Sequence, residues 1–385
     1  MSRWSTWASI SWWRRSEIVE IFIKTLGKCC ACLILLLGAV FPAVAETLSI
    51  TDTTGRRVNV PADPARIVCI GPGALRLIVY LEAQNRVVGV EEMEKTNPGG
   101  RPYWLAHPEL AQLPRIGPGG SAAINKKPDM EAVLMARPDV IFITYMDAAL
   151  ADDVQKLLHI PVVVLSYGGF ATFDTVFHDS LRIAGRILNC EKRAEAVSYY
   201  IAALQTDLSD RVRGIPESQK PAAYIGGVGM RGSHGIESSE KNFIPLEWAG
   251  ARNVAKPFAA SEGSHVFMDR EALLSVNPDV IFIDAGGMTL ISEDYRKKPE
   301  FYKALKAFQT RRVVILHPFN FYTTNIDTAL TDAWTVGKIL YPERFKDIDL
   351  EKKADEIYTF FVGRPVYEQM KLAFGAIGRT APFWD

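Results

Sequence analysis

The 385-residue sequence predicts an α/β protein of two Rossmann-like lobes with central, mostly parallel sheets, joined by a long rigid α-helix, with a ligand cleft between the lobes. Three observations predict it. A segment recurs: Asp129-Met-Glu131-Ala-Val-Leu134-Met-Ala-Arg-Pro138-Asp139-Val-Ile-Phe-Ile143 returns as Asp269-Arg-Glu271-Ala-Leu-Leu274-Ser-Val-Asn-Pro278-Asp279-Val-Ile-Phe-Ile283. Each copy closes on a continuous apolar run, the mark of a strand buried on both faces of a parallel sheet. Between the copies lies a long stretch with apolar residues at helical spacing. Two copies this far apart make two similar lobes and not a solenoid, whose repeats are about 20–50 residues.

Residues 1–45 come first. Arg14, Arg15, Lys24 and Lys28 precede an apolar run from Ala31 to Val40, which ends in Ala43-Val44-Ala45 before Glu46. That order is a secretory signal peptide with cleavage near Ala45, the run being shorter than the roughly 20 residues of a membrane span. A retained anchor is the other reading of the leader. Cys29, Cys30 and Cys32 stand before the apolar run, whereas a lipoprotein signal places its cysteine after it.

The rest of the chain divides into an N-terminal lobe at 46–172, linking helices at 173–213 and a C-terminal lobe with closing helices at 214–385. Without residues 1–45 the net charge is near −3, which gives no electrostatic footprint for nucleic acid. Two cysteines remain: Cys69 inside an apolar run, expected to be a buried thiol, and Cys190. No disulfide is expected between them, and two cysteines are too few for a thiolate zinc or iron–sulfur site.

In the first lobe Arg66–Ile70, Val87–Val90, the repeat strand and Pro161–Leu165 read as strands, each short, apolar and bounded by Gly, Pro or charge. Asp174–Leu188 and Glu191–Arg213 read as helices, the second with Ala194, Val197, Ile201, Leu204, Leu208 and Val212 along one face. No Gly/Ser tether precedes Arg213-Gly214-Ile215-Pro216, so the connection is stiff. Ala222–Val228, the second repeat strand and Arg312–Leu316 supply the second sheet.

Ligands of open α/β sheets bind beyond the carboxyl ends of the strands, and in a two-lobed protein those ends face across the cleft. The loops there are Gly71-Pro72-Gly73 with Arg76, Thr144-Tyr145-Met146 and Tyr167-Gly168-Gly169 in the first lobe. In the second they are Gly229-Met230-Arg231-Gly232-Ser233-His234 and His317-Pro318-Phe319-Asn320-Phe321-Tyr322. Rings can stack on a flat organic ligand, Arg can pair with carboxylates and glycines admit close approach. The candidates are Arg76, Tyr145, Met146, Tyr167, Arg231, His234, Phe319 and Tyr322. The segment from Asn97 to Gly120, a cleft lid or a surface loop, adds Arg101, Tyr103 and Trp104. A lone histidine is more often scaffold than ligand, so no metal site is assigned to His234.

Gly227-Val-Gly229-Met-Arg-Gly232 has the spacing of a dinucleotide fingerprint, but the residues that follow are polar and glycine-broken, not the opening of an apolar helix. No His-x-x-x-His, Gly-x-Ser-x-Gly or Cys–His arrangement stands out, and the six histidines are dispersed at 107, 159, 178, 234, 265 and 317.

Taken in order, Ile50-Thr-Asp-Thr-Thr-Gly55-Arg56, Pro64-Ala-Arg66-Ile-Val-Cys-Ile-Gly71-Pro72, the twin Glu-x-x-Leu-x-x-x-Pro-Asp-Val-Ile segments, Gly250-Ala-Arg-Asn253-Val and Tyr341-Pro-Glu-Arg-Phe345 resemble the helical-backbone class of ABC-importer solute-binding proteins. That family serves iron-siderophore, haem and cobalamin uptake. The resemblance implies a periplasmic, monomeric carrier of an iron chelate, with cobalamin, haem or another metal complex as alternatives, and no cofactor. It also implies that Glu131 and Glu271 dock on an ABC permease dimer, where two rim carboxylates can register a two-lobed body against a two-fold partner. Spacing alone equally allows each Glu to serve only its helix dipole. A related architecture carries metal chelatases and nitrogenase-like enzymes, and a receptor-linked sensor would keep the same cleft. These are the alternatives to the expected reading, a carrier that is not an enzyme.

Overall fold

The computed structural model describes residues 46–96, 99–168, 175–229, 232–259 and 264–384. The leader 1–45, Gly169 and Arg231 lie outside the described residues. Strands β1 (Thr47–Thr51) and β2 (Arg57–Pro61) form an antiparallel hairpin that pairs Ile50 with Val58. Asp52 closes its turn by accepting the amides of Thr54 and Arg56, and Arg56 donates onward to the Val162 carbonyl.

Strand β3 (Ile67–Ile70) leads through Gly71-Pro72-Gly73 into helix α1 (Ala74–Tyr80), every residue of which is buried. A short helix, α2 (Pro102–Ala106), follows before the first repeat copy, helix α3 (Met130–Ala136) and strand β4 (Val140–Thr144). Helix α4 (Ala148–Leu158) and strand β5 (Val162–Leu165) complete a parallel sheet of order β3-β4-β5. Val87–Val90, expected as a strand, makes only two single bridges, Val87 to Ile67 and Val90 to Arg115. Its pairing switches neighbour within four residues, so no ladder propagates.

Helix α5 (Thr175–Ile187) and the 22-residue α6 (Glu191–Val212) connect the lobes, and α6 buries Ala194, Val197, Ile201, Leu204 and Leu208. The second sheet comprises β6 (Ala222–Gly226), β8 (Arg252–Asn253), β10 (Val280–Asp284) and β11 (Val313–Leu316), all parallel in the order β11-β10-β6-β8. Strand β6 stops at Gly226, short of the expected Val228, because Gly227 turns into the left-handed region at φ 80°. Beside the sheet, β7 (Ser238–Glu240) and β9 (His265–Phe267) pair antiparallel.

The repeat is a repeat of bonds as well as letters. Helix α3 and its counterpart α7 (Arg270–Val276) each start on an aspartate cap, Asp129 accepting from Ala132 and Asp269 from Ala272. Each ends on a left-handed residue, Arg137 or Asn277. Each following aspartate then grips the strand beside it: Asp139 accepts the Arg66 amide and Asp279 the Ala222 amide, both at 2.8 Å.

The closing helices do not stay with the second sheet. Helix α8 (Ile326–Leu340) is buried along nearly its whole length, and α9 (Leu350–Val362) lies against α1 and α2 of the first lobe, with the Phe361 ring 4.8 Å from Tyr80. A single apolar core therefore includes Ile67 and Phe142 of one sheet and Ile225 and Phe282 of the other. Helix α10 (Tyr367–Phe374) ends the fold. Cys69 and Cys190 are separate free thiols, and no described helix is long and apolar enough to cross a membrane.

Candidate functional site

A cleft of about 860 Å3 opens where the strand ends of the two sheets meet. Pro72 and Tyr145 stand just past β3 and β4; Gly229, Asp284 and Pro318 stand at or just past β6, β10 and β11. Met93, Ser121, Ile124, Phe321, Tyr322, Thr323 and Phe374 add most of the remaining wall. The tips of both parallel sheets thus face the same space, as the sequence predicts for a two-lobed α/β protein.

Of the predicted contacts, Tyr145 and Tyr322 line this cleft. The backbone is strained there: Tyr145 (φ 56°), Tyr322 (φ 54°) and Thr323 (φ 63°) all hold the left-handed conformation that side chains disfavour, and such residues persist only where their surroundings fix them. Across the lobes the Tyr145 hydroxyl and Thr323 Oγ1 are 2.6 Å apart, and the Tyr322 hydroxyl donates to Glu91 at 2.6 Å.

Other candidates stand behind the wall. Arg76 is not a free cleft cation: it is fully buried, donating to the carbonyls of Phe321, Tyr322 and Thr324. Arg101 is equally buried in an ion pair with Glu94, whose carboxylate also accepts the Tyr103 hydroxyl at 2.7 Å; Trp104 packs in the core beside them. These two arginines and Tyr103 therefore organise the interior. Tyr167 is buried with its hydroxyl on the Gly73 carbonyl, Met146 fills the core around β4, and Phe319 packs on Phe243. His234 is half-buried beside Ser233, its ring 5.4 Å from Phe267. Of the Asn97–Gly120 segment, residues 99–120 are described and none lines the cleft, but Gly120 donates its amide to the Tyr322 hydroxyl, and a Cβ on Gly119 would come 2.9 Å from both Glu91 and that hydroxyl.

Sequence reasoning missed Glu91, Asp284 and Phe374. Glu91 follows directly on Val87–Val90 and Asp284 ends β10, so the strand-end rule reaches both, while Phe374, at the end of α10, carries no local signal. Burial pushes both carboxyls up to about 7. At Glu91 the Tyr322 hydroxyl opposes that rise, while Glu94 reinforces it; at Asp284 the Gly286 amide opposes it. Burial likewise raises the Tyr145 hydroxyl. Among the described residues no group of three or more His, Cys, Asp or Glu side chains is placed to hold a metal ion. The cleft is suited to enclosing a ligand by rings, glycine backbone and a few polar groups.

Residues 67–318 match the family model for periplasmic binding proteins. The molybdate-binding protein MolA of Haemophilus influenzae is 25% identical over 351 residues, covering 86% of this chain and 94% of MolA. Among solved structures, a periplasmic solute-binding protein from Veillonella parvula superposes with a TM-score of 0.67 at 20% identity, covering 86% of this chain and 97% of that one. MolA bound to molybdate gives 0.64 at 23% identity over 83% and 98% of the two chains, and the TroA-like protein FepB from Veillonella parvula gives 0.60 at 23% over 82% and 97%. The chain belongs to the periplasmic binding protein family and is the solute-binding component of an ABC importer, a carrier and not an enzyme.

Proposed function

We propose that this carrier captures a bulky, organically coated metal complex, a ferric chelate first among them, and hands it to its permease. The supporting observation is the cleft itself: about 860 Å3, walled by Tyr145, Phe321, Tyr322, Phe374, Met93 and two prolines. Clefts of this size and lining suit ligands of drug-like bulk, whose organic faces stack on rings. No cofactor enters this reading, and haem and cobalamin share its chemistry.

A second reading is a bare oxyanion, favoured by the likeness to MolA, a molybdate-binding protein by name. A tetrahedral oxyanion would fill little of the cleft and would need several N–H or cationic donors converging on one point.

Delivery rests on Glu131 and Glu271, both exposed at the second helical position of twin helices. Beside Glu131 the surface is apolar, with Leu134 and Met135 exposed. In this reading residues 1–45 export the chain and are cleaved near Ala45, and the mature monomer works outside the cytoplasm as lobes 46–172 and 214–385 around linking helices 173–213.

Native mass spectrometry of protein purified from its own host tests the substrate class. A co-purified organic mass carrying iron is expected; protein that arrives with molybdate alone, and binds molybdate but no ferric, haem or cobalamin complex on titration, would overturn it.

A further inference from the structure

Glu91 belongs to the first lobe and Tyr322 to the second, and they meet in the interior beside the cleft. Glu91 is 4% exposed and Tyr322 9%. The Tyr322 hydroxyl donates to Glu91 Oε2 at 2.6 Å while accepting the Gly120 amide at 3.1 Å, and the Gly71 amide donates to the same carboxylate oxygen at 3.0 Å. The Tyr322 backbone is held left-handed, so its placement depends on these bonds and on the Arg76 guanidinium below. Gly119 leaves room for the hydroxyl only because it has no side chain.

We propose that Glu91 is a positioning residue for ligand capture: from the first lobe it fixes the Tyr322 ring of the second as one wall of the cleft, and so sets the resting separation of the lobes there. This rests on the cleft being the ligand site. Glu91 touches no ligand itself. The titratable groups facing it are Cys69 on β3, Glu94 on the helix Glu92–Thr96 and Tyr322, with Glu94 in turn paired to Arg101. A hydrogen bond to an ionised carboxylate is shorter and stronger than one to the neutral acid, so ionising Glu91 tightens the wall. Burial holds this ionisation near neutrality.

The test uses the full mature chain as wild type, Glu91→Gln and Tyr322→Phe. Amide hydrogen exchange is measured without ligand from pH 6 to 8, corrected for the intrinsic rate. Tyr322→Phe keeps the ring and removes the anchor, so exchange at Gly71, Gly120 and residues 321–325 is expected to rise about ten-fold, with β4 unchanged. Wild-type protection at those amides should grow as pH rises through 7, and Glu91→Gln, which keeps the shape of the acceptor, should lose that pH dependence. Unchanged exchange in Tyr322→Phe, or an identical pH profile in Glu91→Gln, overturns the proposal. Titration with a ferric tris-catecholate complex, followed by tryptophan fluorescence, separates this from the substrate reading. If the wild type binds, Tyr322→Phe should bind about ten-fold more weakly, and equal affinity overturns the positioning role. If the wild type does not bind, the ferric reading loses its support, and the exchange data still decide the role of Glu91.

Discussion

The guanidinium of Arg76, in the first turn of helix α1 after β3, donates to the Thr324 carbonyl at 2.9 Å, joining residues 248 apart in the chain. The carbonyls of Phe321 and Tyr322 accept from its second terminal nitrogen, and its carbon lies 4.9 Å from the Tyr103 ring centroid. Arg76 thus ties a left-handed loop of the second lobe onto the first. Arg76→Met keeps a flexible, unbranched apolar stem but is shorter and removes the donors, leaving three carbonyls in a low-dielectric interior. We expect a loss of about 3 kcal/mol in unfolding free energy, read from the midpoint of urea denaturation. A midpoint within error of wild type would show that the tie carries no stability.

What was legible in the sequence, and what was not, follows from how local each signal is. The repeat could be read because an aspartate cap, a left-handed helix end and a Pro-Asp pair follow one another within about a dozen residues in each copy, even though the bond each second aspartate makes reaches a distant strand. The strand-end rule found Tyr145 and Tyr322 because it needs only strand boundaries. The same rule misplaced Arg76, whose partners lie far along the chain and announce themselves by nothing near position 76. Arg101 differs in that its partner Glu94 is only seven residues away, but nothing in the letters shows that the pair is buried and not open to the cleft. Left-handed Tyr322 and Thr323 carry no glycine to mark the turn, and the β1–β2 hairpin alternates, Leu48 and Ile50 against Val58 and Val60, but over strands of only five residues each.

Glu131 and Glu271 are exposed on helices that cap and terminate alike, which makes them equivalent handles on the two lobes. Charge reversal at exposed rim positions alters association with a complementary partner while leaving a distant pocket intact. The double variant Glu131→Arg with Glu271→Arg is therefore expected to reduce ligand uptake in membrane vesicles at least about ten-fold, with ligand affinity in solution within about two-fold of wild type. Each single reversal should fall between. Undiminished uptake by the double variant, with the protein folded, removes both residues from docking.

Asp284 ends the central strand of the second sheet at the cleft, 5% exposed, and its Oδ1 accepts the Gly286 amide at 2.8 Å. Burial pushes its carboxyl up to about 7, so between about pH 4 and pH 7 the folded chain holds a proton there that the unfolded chain releases. Stability from this group is complete below the unfolded value and is lost as pH rises through 7, by at most about 4 kcal/mol. His317 runs the other way: burial lowers it to about 4, so the unfolded chain takes up a proton below about pH 6.5 that the folded chain refuses, and stability falls as pH drops through that range. Asp284→Asn can still accept the Gly286 amide but cannot ionise. Compared with wild type, the variant should therefore gain stability at pH 8 relative to pH 5, while the His317 contribution stays common to both proteins. Urea midpoints at the two pH values measure it, and an equal offset between variant and wild type at pH 5 and pH 8 would mean that Asp284 does not change its proton count on folding.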